Sequence, residues 1–399
     1  MSQDAIGPTA SVVETSEPSR TRTLAICGTT HALHDGYTDL LNVLFPLLQA
    51  QFGLSYTAIG TLRTIYSTAM ASGQIPSGLL SERFGGRRIL ALGTAAAAAG
   101  YAIAGWSGGL IGAAIGIGLS GLGSSTQHPI ASSLVSAAYP GSASRPALGT
   151  YNFAGDIGKM ALPMGFALIA SLWHWQAALL AVSLLGLLLA FAIPTLLPPS
   201  LDAALAKPAS QDESNAPAPR GAFRLLQAVG FIDSLVRAGY LTFLPFILTA
   251  KGASLPMLGV ALSLLFAGGA AGKLVCGWLG QRLGVLPVVA LTESVTAAAM
   301  LATLWLPLEA TLVLLPLLGL ALNGTSSVLY GSIPELVPPE KRTRAFSIFY
   351  TGGSVAGAIG PLAGGALGDI FGLNTMVIAL AIAATITIPL AMPLRQHVR

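Results

Sequence analysis

Apolar residues run along this chain in long blocks, and the polar positions between them fall at regular intervals. From Leu24 to Leu394 the charge-poor stretches recur at lengths near the ~20 residues that a helix needs to cross hydrocarbon. With Gly, Pro and charged residues as punctuation, the pattern predicts twelve spans. Six lie at about 24–50, 57–80, 87–106, 109–137, 147–171 and 176–197, and six at about 223–249, 255–280, 285–305, 310–336, 344–368 and 373–393. Residues 1–22, rich in Ser, Thr and Glu and without a cleavable signal pattern, read as a disordered cytoplasmic tail. Residues 198–222, rich in Pro, Ala and polar side chains, read as a flexible linker. The expected fold is all-α and integral to the membrane, with six-helix bundles at 23–197 and 223–399.

Composition narrows the class. Only 9% of the residues are charged and 53% are hydrophobic, whereas a water-facing surface needs roughly 25% charged residues. Gly supplies 47 of 399 residues, above the usual ~7%, which in a membrane implies close helix packing. Cys27 and Cys276 sit inside apolar stretches without zinc or redox spacing and read as buried thiols.

The net charge of +4 does not point to nucleic acid, because the basic residues sort into loops. Arg20, Arg22, Arg83, Arg87, Arg88, Arg145, Lys207, Arg220, Arg224, Arg282, Lys341, Arg342, Arg344, Arg395 and Arg399 fall on one side, fifteen of the twenty Lys and Arg. The opposite loops hold only Lys251. Positive charge stays inside, so both termini are expected in the cytoplasm, in a bacterial inner membrane.

The halves echo each other about 198 to 201 residues apart. Asp35 corresponds to Asp233, Gly78–Gly85 to Gly277–Gly284, Gly123–Val135 to Gly324–Val337, and Gly155 with Pro163 to Gly353 with Pro361. Proteins built from two such halves place a substrate site at the repeat interface near the bilayer midplane.

The segment Gly78-Leu79-Leu80-Ser81-Glu82-Arg83-Phe84-Gly85-Gly86-Arg87-Arg88 resembles the loop 2–3 signature of the major facilitator superfamily, with a degenerate copy in loop 8–9. Gly360-Pro361-Leu362-Ala363-Gly364-Gly365 partly resembles that superfamily's antiporter motif, although span 5, its more diagnostic place, carries Gly155-Asp156-Ile157-Gly158-Lys159. His34-Asp35, the stretch Phe45–Gly60, and Gly123-Ser124-Ser125 followed by His128-Pro129 are similar to the fosmidomycin-resistance exporter group. That group carries an acidic residue after the His-Pro pair, where this chain has Ile130. The resemblance implies alternating access, outward transport with proton exchange, and a gating loop. Gly78, Glu82, Arg83, Gly85, Arg87 and Arg88 would hold the cytoplasmic side closed by pairing with neighbouring helix ends.

Ionisable residues inside a bilayer are functional candidates by default. Here they are His31, His34, Asp35 and Asp39 on span 1, Arg63 on span 2, His128 on span 4, Asp156 and Lys159 on span 5, and Asp233 and Arg237 on span 7. Lys273 on span 8 sits where it could snorkel, structural or gating, and Glu293 on span 9 looks less central. His31, Asp35 and Asp39 recur every four residues and share a slowly rotating face. At a rise of ~1.5 Å per residue, Asp39 lies about 22 Å and Arg63 about 20 Å from the cytoplasmic side. Asp39 with Arg63, Asp156 with Lys159, and Asp233 with Arg237 are candidate ion pairs. The three cations equally suit an anionic substrate such as a phosphonate or carboxylate. Histidine beside acid suits proton carriage, and Asp35 helped by His34 is the expected carrier.

Enzyme signatures are lacking. Gly268-Gly269-Ala270-Ala271-Gly272-Lys273 departs from a phosphate loop at Ala267 and Leu274 and lies in a span, as does the triplet Asn323-Gly324-Thr325. No cofactor, resident metal or nucleic acid is expected. The expected partners are a small-molecule substrate, protons and the lipid bilayer, for a monomer that works as a secondary transporter. Metal or metalloid efflux through the span 1 His and Asp residues, uptake of a small organic anion, and a non-transporting receptor are the rival readings.

Overall fold

A computed structural model describes residues 17–205, 221–338 and 342–396, and these are helical apart from short turns. Helices satisfy their own backbone groups, which hydrocarbon demands of any chain crossing it. The first bundle comprises α1 (Glu17–Phe52), α2 (Tyr56–Phe84), α3 (Gly86–Trp106), α4 (Leu110–Ser124), α5 (Gln127–Ala138), α6 (Ser144–Leu172) and α7 (Trp175–Leu196). A short helix, α8 (Ser200–Leu205), follows it. The second bundle comprises α9 (Ala222–Ala250), α10 (Leu255–Leu283), α11 (Val285–Trp305), α12 (Leu308–Gly331), α13 (Ile333–Leu336), α14 (Arg342–Phe371) and α15 (Leu373–Ala391). Taking α4 with α5 and α12 with α13 gives twelve rods among the described residues.

Four details differ from the sequence reading. Span 4 is broken at Ser125 and Thr126, because Pro129 lacks the N–H that would reach the Ser125 carbonyl. That carbonyl instead accepts from Ser77 Oγ at 3.3 Å. Span 10 is broken before Pro334 in the same way. Helix α1 begins at Glu17, inside the range read as a tail, with an acid in its first turn where the helix dipole favours one. Helix α8 occupies the start of the range read as a linker; residues 1–16 and 206–220 lie outside the described residues.

Nine of the described helical segments are long and apolar enough to cross a membrane by length and composition. Helices α1, α2 and the α4–α5 rod are not among them. These three carry His31, His34, Asp35, Asp39, Arg63 and His128; α1 and α2 are the more polar spans, and the α4–α5 rod is divided into helices of 15 and 12 residues, each too short alone.

The same packing recurs in each bundle. Helix α1 packs on α6 as α9 packs on α14, α2 on α4 as α10 on α12, and α3 on α7 as α11 on α15. Between bundles, α2 meets α14 and α6 meets α10. At the end away from the termini, one apolar core runs through both bundles, including Leu44, Leu48, Phe166, Phe243, Phe246 and Leu262. There Asp369 accepts the free N–H groups of Tyr56 and Thr57 at 2.8 and 2.9 Å, so α14 caps the start of α2. Gly60 and Gly365 let the α2 and α14 backbones touch. At the termini end the core divides into two clusters, one around Leu90, Ile130 and Leu134 and one around Val288, Leu329 and Leu394. Ile75 and Leu79 on α2 and Leu274 and Trp278 on α10 stand exposed there. The bundles are joined at the far end and parted at the termini end.

Candidate functional site

The charges of the first bundle converge on Asp35. Helix α1 sets His31 and Asp35 one turn apart, and His31 Nε2 lies 3.3 Å from Asp35 Oδ2. From α6, Lys159 Nζ approaches the same oxygen at 3.2 Å. From α5, His128 Nε2 lies 3.8 Å from Oδ1, and its ring stands edge-on to that of His31. Gly155 makes room for this meeting. A Cβ there would sit 2.7 Å from both Asp35 Oδ2 and His31 Nε2, closer than real side-chain atoms approach.

The proton inventory around His31 is informative. Its Nδ1 lies 2.9 Å from the Tyr151 carbonyl, and a carbonyl only accepts, so Nδ1 carries a proton. Its Nε2 faces a carboxylate oxygen, also an acceptor. That oxygen, Asp35 Oδ2, is the one Lys159 also approaches, so two nitrogens share it.

His34 takes no part in it. Its Nε2 lies 3.0 Å from Thr94 Oγ1, whose own hydrogen goes to the Leu90 carbonyl, so the ring donates there. Its Nδ1 then accepts from Ser124 Oγ at 3.0 Å. The neutral ring is fully satisfied, fastening α1 to α3 and α4. One residue along a helix turns a side chain by about a quarter circle, which carries His34 away from the acid it adjoins in sequence.

A chain of alternating charge leads from Asp35 across the bundle interface. Lys159 Nζ is 3.9 Å from Asp156 Oδ1. Lys273 of α10 donates to both oxygens of Asp156, at 2.5 and 2.8 Å. Asp156 is 7% exposed, and the Lys273 side chain is 40% exposed on the gap between bundles. Lys273 therefore does not snorkel away; it ties α10 to α6. The sequence reading left it out of the site, since spacing along one helix does not reveal which neighbour its side chain meets. Tyr151, whose carbonyl accepts from His31 Nδ1 and whose hydroxyl accepts from Gln127 Nε2 at 2.5 Å, was missed as well.

The other expected ion pairs do not form. Arg63 donates from an Nη to the Thr38 carbonyl at 2.6 Å, its Nε is buried without a partner, and it lies 5.8 Å from the centre of the Tyr66 ring. Asp39 accepts instead from Asn42 Nδ2 at 3.2 Å. Arg63 thus bonds the backbone of the residue before Asp39 but not the Asp39 carboxylate. Asp233 accepts from Ser326 Oγ at 2.9 Å and makes no ion pair with Arg237 among the described residues. Asp156 is held chiefly by Lys273 rather than by Lys159.

In the loop signature, Gly85 adopts φ +92°, a conformation side chains resist. Arg87 donates its backbone N–H and Nε to Asp202 of α8 at 3.0 and 2.9 Å, and reaches the Leu197 carbonyl at 2.7 Å. The partner of Arg87 follows the same bundle rather than lying in the other one. Glu82, Arg83 and Arg88 are exposed, and Gly78 has open space where a Cβ would be.

Cys27 and Cys276 are free and buried in separate bundles. His31, Asp35 and His128 present ligand atoms within 4.8 Å of one another, a donor set that suits a divalent cation of nitrogen preference. Lys159 shares this carboxylate, lying on Oδ2 while His128 faces Oδ1.

Three kinds of comparison bear on the chain. No curated protein matches it in sequence. Its fold is similar to that of a bacterial homologue of the human lysosomal transporter Spinster in an inward-facing, occupied conformation, with TM-score 0.81 and 16% identity over 96% of this chain and 98% of that one. The unoccupied form of that homologue gives TM-score 0.80. The nucleoside transporter NupG gives 0.77 at 14% identity, over 93% of this chain and 99% of that one. The family model described as Major Facilitator Superfamily matches twice, over residues 27–229 and 226–399, once on each bundle. A doubled family match, two bundles packed alike and an ion-paired interface between them agree: this chain belongs to the Major Facilitator Superfamily.

Proposed function

We propose that the protein is a proton-coupled secondary transporter of a small anionic solute, with the Asp35 cluster as its proton site. The observation that carries this reading is the meeting of His31, His128 and Lys159 on the one carboxylate of Asp35. Deprotonated, Asp35 occupies Lys159; protonated, it releases an ammonium beside the space between the bundles. Arg63, with a buried Nε left unpartnered, and Arg237 supply further cations for an anion such as a phosphonate or carboxylate. Both termini are cytoplasmic on this reading, by the positive-inside distribution, so the parted end faces the cytoplasm. Resemblance to the fosmidomycin-resistance exporters supports efflux with proton exchange.

One observation favours a second reading, uptake of a small organic anion together with a proton. Asp35 and an anion compete for Lys159, so protonating Asp35 strengthens anion binding, and linkage makes the two ligands travel together.

Proteoliposomes holding a pH-sensitive dye separate the readings, with fosmidomycin as the probe and the membrane potential clamped. Adding probe outside alkalinises the lumen under exchange and acidifies it under cotransport. Asp35→Asn abolishes either signal. No pH change and no probe flux in wild type, across fosmidomycin and a panel of small carboxylates, would leave a receptor.

A further inference from the structure

His31 and Asp35 on α1 and His128 on α5 present ligand atoms that all lie within 4.8 Å of one another. A tetrahedral ion with bonds near ~2.0–2.1 Å holds its ligand atoms about 3.3 Å apart. His31 Nε2 and Asp35 Oδ2 already stand at 3.3 Å, and His128 Nε2 stands 3.8 Å from Oδ1. The remaining closure falls to His128, whose side chain is 51% exposed just past the break between α4 and α5.

Two further observations point to an ion. His31 Nδ1 donates to the Tyr151 carbonyl at 2.9 Å. Metal-binding histidines make this outer contact, and it leaves Nε2 of the neutral ring as the lone-pair nitrogen, turned toward Asp35. Gly155 keeps the meeting point open, since a Cβ there would sit 2.7 Å from both Asp35 Oδ2 and His31 Nε2. Two imidazoles and a carboxylate, with a fourth place for water on the exposed side of His128, are the ligands of a zinc-like ion.

Lys159 competes for the same acid. Its ammonium stands 3.2 Å from Asp35 Oδ2, but it also lies 3.9 Å from Asp156 Oδ1 and can turn there when an ion takes Asp35. Ion and ammonium are alternatives, because like charges on one carboxylate repel.

We propose that His31, Asp35 and His128 form a binding site for a divalent metal ion of the zinc type, with Lys159 as its built-in competitor. All three ligands belong to the first bundle, so the site stays whole however the second bundle stands. The bound ion fastens α5 to α1 and turns Lys159 toward Asp156, the acid that Lys273 engages across the interface.

Titration of the full chain with Zn2+ or Co2+ alone tests this, with the protein purified without a histidine tag in a Cys27→Ala, Cys276→Ala background. No transport is measured, so the outcome does not depend on what the protein carries. Wild type is expected to bind one Zn2+ per chain and, with Co2+, to show the intense visible absorption of a four-coordinate ion. His31→Gln and His128→Gln are each expected to weaken binding by about tenfold or more. His174→Gln, in the turn before α7 at the far end, leaves binding unchanged. Lys159→Gln is expected to tighten binding by about tenfold, a gain that no folding defect imitates. Absence of binding in both wild type and Lys159→Gln, unchanged affinity in both His31→Gln and His128→Gln, or weaker binding in Lys159→Gln would overturn the proposal.

Discussion

Lys273 and Asp156 meet across the bundle interface with both carboxylate oxygens engaged, at 2.5 and 2.8 Å. They join α10 of the second bundle to α6 of the first, two helices that pack together across the interface. Removing one partner of a buried pair strands the other charge; partial exposure of Lys273 reduces that cost. A double-mutant cycle of Lys273→Ala and Asp156→Ala is expected to give a coupling energy of about 1–3 kcal/mol, in the range for contacting charges, when thermal unfolding is measured in lipid nanodiscs. Additive losses would mean that the contact does not tie the bundles.

Gly155→Ala tests the crowding at Asp35. The added methyl lies 2.7 Å from Asp35 Oδ2 and His31 Nε2, so the two must separate. Membrane insertion is expected to be unchanged while proton-driven flux falls by tenfold or more, about 1.4 kcal/mol in barrier terms. Wild-type flux in this variant would show that the His31–Asp35 contact is dispensable.

Arg63 and Asp39 form no ion pair, Arg63 bonding the Thr38 carbonyl and Asp39 accepting from Asn42. A cycle of Arg63→Ala and Asp39→Ala is therefore expected to be additive in stability within about 0.5 kcal/mol. Arg63→Lys, which keeps charge but loses the planar fork, weakens anion binding with little effect on expression. Rescue of transport in the double variant would return Arg63 to the role of a counterion.

These residues show where sequence reading reaches and stops. The spans, the repeat and Asp35 follow from one-dimensional patterns of charge and hydropathy, because lipid imposes length and composition on every crossing. Position along a helix is also readable, and Arg63 does reach the backbone of Thr38, the residue before Asp39. Depth fixes one coordinate; direction around the axis depends on how α1, α2, α6 and α10 dock. For that reason His34 turned out to bond Thr94 and Ser124, and Lys273 turned out to face Asp156. The break in span 4 was signalled by Pro129, but Ser77 as the new partner of the freed Ser125 carbonyl was not.

Topology has its own test. Ser107→Cys, in an exposed turn at the far end, is expected to react with an impermeant thiol reagent in intact cells, and Ser214→Cys in the linker only after permeabilisation. The reverse pattern would invert the assignment of sides.

The central claim is that the state of Asp35 is relayed through Lys159 and Asp156 to Lys273 and so sets how the bundles stand. Fluorescence energy transfer between labels at Leu79→Cys on α2 and Tyr350→Cys on α14, both exposed at the parted end, reads this without a substrate. The background carries Cys27→Ala and Cys276→Ala. Acidification frees Lys159 to compete for Asp156, loosens Lys273, and is expected to move the wild-type distribution toward the closed, short-distance state. Asp35→Asn is expected to show that short-distance state at every pH. A distribution in Asp35→Asn that matches wild type and still responds to pH would contradict the account.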